Sequence, residues 1–427
     1  MIRIEDSSEV HISEILKRDA GEMPDVDAAV KAIIEAVRER GDAALLDYSE
    51  KFDKVRPESL SVSEEEIEAA VLRTDEYFLD TLRMARENII DFHERQKRGN
   101  YIVNENEGII LGQRTMPLEK VGIYVPGGTA RYPSSVLMNA LPAKVAGVKD
   151  IVMVSPCKPD GKIPEIILAA ARLAGVTKIF KTGGAQAISA LAYGTESIPK
   201  VDKITGPGNI YVATAKRMVC GVVDIDMFAG PSEILVIADG SCDARFVAAD
   251  MLSQAEHDEM SAAILVTDSR HLAEAVKKEI EVQIASLDRA RIARASIEGN
   301  GRIIVVADMA EAVAISNAIA PEHLEICARD PFSLLNGIKH AGSVFLGKNV
   351  PEALGDYFAG PNHILPTGGA ARFSSPLGVD DFIKKSNFIY YTKDALEKVS
   401  GRVVDFAERE GLTAHSRSVS IRFEDRG

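Results

Sequence analysis

The chain of 427 residues has no tryptophan, only four cysteines and only eight histidines. Cys157, Cys220, Cys242 and Cys327 are scattered without a C-x-x-C pair, so neither a disulfide framework nor a thiolate zinc site is indicated. Any metal must then be held by histidine, carboxylate or amide groups. No apolar run reaches transmembrane length, and the opening MIRIEDSSEVHISEILKR lacks the apolar core of a signal peptide. A cytoplasmic location and no membrane partner are expected. Basic residues are in deficit: 50 Lys and Arg against 64 Asp and Glu leave a formal net charge of −14, which disfavours nucleic acid as a partner. Neither G-x-G-x-x-G nor H-E-x-x-H occurs, and no short-period repeat suggests a solenoid.

What remains is an ordinary globular composition, 46% hydrophobic and 27% charged, in a chain too long for one core. Residues 1 to about 100 read as helical, with Gly41 as a break and SEEEIE (63 to 68) as a capped first turn. After Gly108, short apolar runs alternate with helices. KVGIYVP, DIVMVSP and KIFKTG read as buried strands; EILVIAD, AAILVTD, RIIVVAD and GSVFLG repeat the pattern farther on. That alternation predicts an α/β protein with two Rossmann-like parallel-sheet domains that meet near FAGPSE. The expected divisions are a helical region 1–107, a first α/β domain 108–230, a second 231–380 and a C-terminal extension 381–427. In the extension, NFIYYT reads as a short strand and the alternating SVSIRF as an edge strand.

Three glycine-rich turns, VPGGTARYP, TGGAQAIS and TGPGNIYVATA, fall at strand ends in the first α/β domain, where such sheets bind ligands; each also suits a plain βα turn. Among the histidines, His11, His93, His271 and His340 have polar neighbours and read as solvated. The adjacent Glu322 and His323 in APEHLEI supply the types needed for a general base and a proton shuttle. In DMLSQAEHDEM, Gln254 and His257 are three apart on a helix, and so are either half of a metal site or an exposed helix end. Asp356 in GDYF is a further ligand or a routine cap. His363 lies in a long apolar loop, and His415 in the tail.

Taken together and in order from about residue 115 to 422, VGIYVPGGTARYPSSVLMNALPAKVAG, GGAQAISALAYGT, KITGPGNIYVATAK, DMFAGPSEILVIAD, DMLSQAEHDEMSAAILVT, APEHLEI, GDYFAGPNHILPTGGAARFSSPLGVDDFIK and REGLTAHSRSVSIR closely resemble the histidinol dehydrogenase family. The resemblance implies an NAD-linked enzyme with one Zn2+ per subunit that oxidises L-histidinol through L-histidinal to L-histidine. It implies the metal ligands Gln254, His257, Asp356 and His415, with His415 crossing from the partner of a homodimer together with Glu410. Glu322 and His323 match the acid/base pair. Ser232, His363 and Glu410 match substrate contacts, alongside Gln254, His257, His323, Asp356 and His415. Tyr124, Gln186 and Asn209 match NAD contacts. No matched position is substituted. Two rival readings are a zinc hydrolase using Glu322 to activate water, which leaves the glycine-rich turns unused, and a catalytically silent NAD-binding dimer.

Overall fold

The apolar runs expected as buried strands are strands. The computed structural model of the chain describes every residue except 13, 14, 16–23, 128–130, 229 and 425–427. Parts of the VPGGTARYP turn and of the FAGPSE junction thus lie outside the described residues. The chain divides into two units: Met1–Gln96 with Leu118–Phe382, and Lys97–Pro117 with Ile383–Gly427.

The larger unit holds two parallel sheets. In the first, the spatial order is Lys178–Lys181, Asp150–Ser155, Lys120–Tyr124, Lys203–Thr205 and Asp224–Ile225. The three strands that begin at 120, 150 and 178 are buried on both faces almost throughout, which is why they read as unbroken apolar runs. Numbered by their place in the chain the strands run 3-2-1-4-5, so the order reverses between Lys120–Tyr124 and Lys203–Thr205. A crevice is expected at the carboxyl ends of strands at such a reversal. Gly206 makes the turn there: its φ is +115°, and a Cβ would lie 2.1 Å from the Tyr124 carbonyl oxygen. A buried Lys216–Asp226 ion pair holds the turn, Lys216 donating to the Gly206 carbonyl and Asp226 accepting from the Gly206 N–H. Each charge is thereby paired and hydrogen-bonded, as burial demands.

The second sheet repeats the order with one strand added at the edge: Arg3–Asp6, Arg302–Val305, Ala262–Thr267, Glu233–Ala238, His323–Cys327 and Ser343–Leu346, all parallel. The expectation of a wholly helical N-terminal region is corrected here. RIED is short and charged, with no apolar run to announce it, yet it pairs with Arg302–Val305. Tyr101–Val103, near the end of the region, is a strand as well. Between the two strands, Gly41 separates Pro24–Arg40 from Asp42–Tyr48 as expected, and Ser63 and Glu66 form a capping box ahead of Glu64–Arg73. His93 is corrected too. It is buried on the inner face of helix Glu76–Glu94 with Leu79, Leu82, Ala85 and Ile89, its Nδ1 2.9 Å from the Ile89 carbonyl.

The smaller unit is a three-stranded antiparallel sheet, Ile383–Tyr391, Ile109–Pro117 and Tyr101–Val103, followed by helices Lys393–Arg409 and Thr413–Ser420. NFIYY is therefore the end of a nine-residue strand, and Thr392 after it caps the next helix. SVSIRF is not an edge strand; it completes the last helix and a 3-10 turn, Ile421–Phe423. The unit leaves Ile102 64%, Ile389 76% and Phe406 67% exposed.

Candidate active site

Strand His323–Cys327 is the central neighbour of Glu233–Ala238, and its register sets His323 beside Ile234 and Ser343. Glu322 and His323 therefore lie at the amino edge of the second sheet, not at its carboxyl edge. The approach is strained: Ala320, a non-glycine residue, has φ +54° and ends helix Met309–Ile319 in the left-handed region. Gly342 lets its strand close in, since a Cβ there would meet the Glu322 carbonyl at 2.5 Å. Glu322 is buried and accepts from the Glu233 N–H at 2.8 Å. Burial pushes its carboxyl up to about 7.

Helix Ala244–Ala255 runs back to this same edge and delivers Gln254 and His257 from its end. The exposed-helix-end alternative does not hold, because Gln254 is 1% exposed. Gln254 Nε2 lies 3.0 Å from His323 Nδ1, which is also 3.1 Å from the Glu233 carbonyl oxygen. His323 Nε2 faces Asp356 Oδ1 at 3.7 Å. Burial lowers the basicity of His323, but Glu352, Glu322 and Asp356 outweigh it and hold the pKa well above the ordinary value. His363 Nδ1 sits 3.0 Å from the Asp356 carbonyl oxygen, in a loop that Asn362 ties down by donating to the Met138 carbonyl at 2.7 Å.

A cation cluster follows from these positions. Ligand atoms of His257, Glu352 and Asp356 all lie within 4.8 Å of one another. Burial lowers the pKa of His257, so its imidazole is neutral and able to ligate. Burial works against the Asp356 carboxylate, but His323, His363 and His257 keep its pKa low. Glu352 Oε2 is buried with no hydrogen-bond partner among the described residues. An all-N/O set with an orphaned carboxylate oxygen fits a divalent cation such as zinc. Sequence reasoning missed Glu352. Glu352 and Asp356 lie on the six-residue helix Glu352–Tyr357 at i and i+4, so they share a face, and that spacing was the available signal.

Without metal, this packing of acids has a sign. Burial raises Glu352 to about 8 and Glu322 to about 7, so the folded chain binds protons that the unfolded chain has released. Their stabilising effect is complete below about pH 4.5 and is lost as pH rises through 7 to 8; His323, also raised, acts in the same direction. For Glu322 the loss is on the order of 3 kcal/mol. Calorimetry on chelated protein should show the midpoint falling across this window more steeply than with zinc, and Glu352→Gln should flatten the fall. A flat profile for chelated wild type would contradict the assignment.

Tyr124, Gln186 and Asn209 are brought together at the carboxyl edge of the first sheet, lining a cavity of about 920 Å³ at the strand-order reversal. Tyr124 accepts from the Gly184 N–H at 3.1 Å, and burial pushes its hydroxyl up to about 12. Gln186 is buried, its Oε1 without a partner among the described residues. Asn209 caps helix Ile210–Val219 through its side-chain oxygen. These neutral groups and the backbone N–H groups beginning two helices suit a dinucleotide. Ser232 precedes strand Glu233–Ala238 at the edge shared with His323, its carbonyl accepting from Ala262. Glu410 and His415 belong to the smaller unit, where both are exposed, Glu410 at the end of Lys393–Arg409 and His415 on Thr413–Ser420.

The family model described as histidinol dehydrogenase matches residues 16–423. The chain belongs to the histidinol dehydrogenase family. The histidinol dehydrogenase of Syntrophotalea carbinolica is 58% identical over 409 residues, 95% of each chain. That of Clostridium acetobutylicum is 53% identical over 416 residues, 97% of this chain and 96% of the relative. A crystal structure of histidinol dehydrogenase from Elizabethkingia anophelis matches with a TM-score of 0.93 at 39% identity, covering 99% of this chain and 98% of that one. Membership in the histidinol dehydrogenase family bears out the α/β fold class and the NAD-linked oxidoreductase expected from the sequence. It favours the dehydrogenase over the zinc hydrolase and the silent NAD-binding dimer. Among the described residues, no helix is long and apolar enough to cross a membrane.

Proposed function

We propose that the chain oxidises L-histidinol through L-histidinal to L-histidine, the last step of histidine biosynthesis, reducing two NAD+. The observation that carries this reading is the buried Glu322–His323 pair set among Gln254, His257 and Asp356. With Nδ1–H donating to the Glu233 carbonyl, Nε2 is the proton-exchanging atom of His323, and in its deprotonated form it accepts the alcohol proton as hydride leaves the carbinol carbon. Glu352 Oε1, 3.8 Å from Nδ1, favours the imidazolium that results. Glu322 then takes a proton from the water that attacks the aldehyde carbon, and a second hydride leaves to give the carboxylate. NAD+ supplies the hydride acceptor. Burial of the pair keeps bulk water from the reactive aldehyde.

Gln254, His257 and Asp356, with the partner subunit's His415, would hold zinc, which when bound supplies a Lewis-acidic anchor for the imidazole and amine nitrogens of the substrate. Ser232, His363 and the partner subunit's Glu410 complete the substrate contacts. The apolar surface left open on the smaller unit, with Ile102, Ile389 and Phe406, supports a homodimer built through that unit. The four unpaired cysteines suit the reducing cytoplasm. L-histidinol added to protein, NAD+ and zinc should yield two NADH per histidinol, and a chelator should abolish the absorbance until zinc is restored. Zinc-loaded protein that makes no NADH would end the dehydrogenase reading.

A further inference from the structure

The three expected NAD contacts carry no formal charge, yet one carboxylate stands in the same cavity. Among the described lining residues, Asp53 is the sole acid. Its Oδ2 is buried without a hydrogen-bond partner, and burial raises its pKa to about 6. Such a group is costly to leave unused. The backbone goes to some length to put it there. Ser49–Asp53 forms a π-helical turn, and the next residue, Lys54, a non-glycine, has φ +62° in the left-handed region. Both are unfavourable local geometries of the kind that persist at binding sites. The residue before Asp53, Phe52, is 50% exposed and lines the cavity with Tyr48, the two rings parallel within 3° at 5.6 Å. Aromatic surface therefore stands beside an acceptor, with Lys51 Nζ 5.2 Å from the centre of the Phe52 ring.

An ionised carboxylate can only accept hydrogen bonds. The pyrophosphate of a dinucleotide is anionic and is repelled by it, which leaves amino and hydroxyl donors. A vicinal diol offers two O–H groups to two carboxylate oxygens, and the aromatic face beside it suits the attached base. We propose that Asp53 accepts from the vicinal hydroxyls of the adenosine ribose of NAD, and so sets the preference for NAD over its 2′-phosphorylated form. This rests on the NAD-linked reading above. In the common dinucleotide fold the ribose acid follows the first βα turn. Here the helical region ahead of the sheet supplies it, which explains why that region packs its Val30, Ile33 and Leu45 into the core around Tyr124.

Titration calorimetry on the full chain with NAD+, NADP+ and 2′-deoxyadenosine-NAD+ tests the assignment without relying on turnover. Wild type should bind NAD+ about tenfold or more tighter than either analogue, the scale of a hydrogen bond to a charged group. In Asp53→Asn and Asp53→Ser, NAD+ should weaken to the level of the deoxy analogue and the margin over NADP+ should shrink by about tenfold. Wild type that binds the deoxy analogue as tightly as NAD+ overturns the proposal, and this arm needs no variant to fold. Variants that lose all three ligands equally, with an unchanged unfolding midpoint, also overturn it and leave Asp53 an adenine contact. Histidinol-dependent NADH formation by wild type, run alongside, separates failure of the dehydrogenase reading from failure of this one.

Discussion

Glu322→Gln should stop the reaction at the aldehyde. The variant should still form one NADH per histidinol, while oxidation of added histidinal falls by about 10²- to 10⁴-fold, the usual worth of a positioned general base. Glutamine keeps the shape, and its oxygen can go on accepting from the Glu233 N–H, so fold and substrate contacts should survive. What it lacks is basicity. Burial has pushed Glu322 to about 7, so wild type gains base as pH rises through that value, and the aldehyde step should speed up over the same range. In the variant that pH dependence should vanish. Single-turnover NADH stoichiometry and histidinal oxidation across pH 5.5 to 9 read both effects. A variant that oxidises histidinal at the wild-type rate would remove Glu322 from catalysis.

The second large effect concerns two variants, neither able to form histidine alone, that recover histidine formation when mixed. If the partner subunit's His415 completes each site, His415→Ala should fold normally but lose zinc, and Glu322→Ala should bind zinc but stop at the aldehyde and make no histidine. A heterodimer of the two contains one site with an intact Glu322 and an intact partner His415, and one site with neither. Random exchange makes half of the dimers mixed, so histidine formation should return to about a quarter of wild type. The exposed position of His415 on Thr413–Ser420 suits a ligand meant for a neighbouring chain. If exchange is shown by mass spectrometry and histidine formation stays at zero, the site is not shared between subunits.

How much of this was legible depended on whether the signal was local. Buried parallel strands announce themselves because both faces are apolar, so KVGIYVP and EILVIAD could be read directly. Arg3–Asp6 is a charged edge strand whose pairing partner lies almost 300 residues away. The alternation in SVSIRF was real but belongs to a helix with one buried position, Ser416. The site follows the same rule. Glu322, His323, Gln254 and His257 could be named as a group only through the family resemblance, because strand register and a returning helix bring them together. Glu352 had a local signal that was overlooked. Asp53 had none, since neither a π turn nor a left-handed lysine is written in residue types.

The two parallel sheets share the strand order 3-2-1-4-5, yet their candidate sites lie at opposite edges. Helices start at the carboxyl edge and finish at the amino edge, so the two edges differ in polarity before any side chain is considered. The cavity holding Gln186 and Asn209 opens onto the first turns of Gly184–Tyr193 and Ile210–Val219, whose free N–H groups favour a pyrophosphate. Gln254 and Glu322 stand where Ala244–Ala255 and Met309–Ile319 finish, and there the free carbonyls favour a cation and a protonated imidazole. One architecture used twice, in opposite senses, therefore gives an anion and a metal ion each a suitable electrostatic pole from backbone alone.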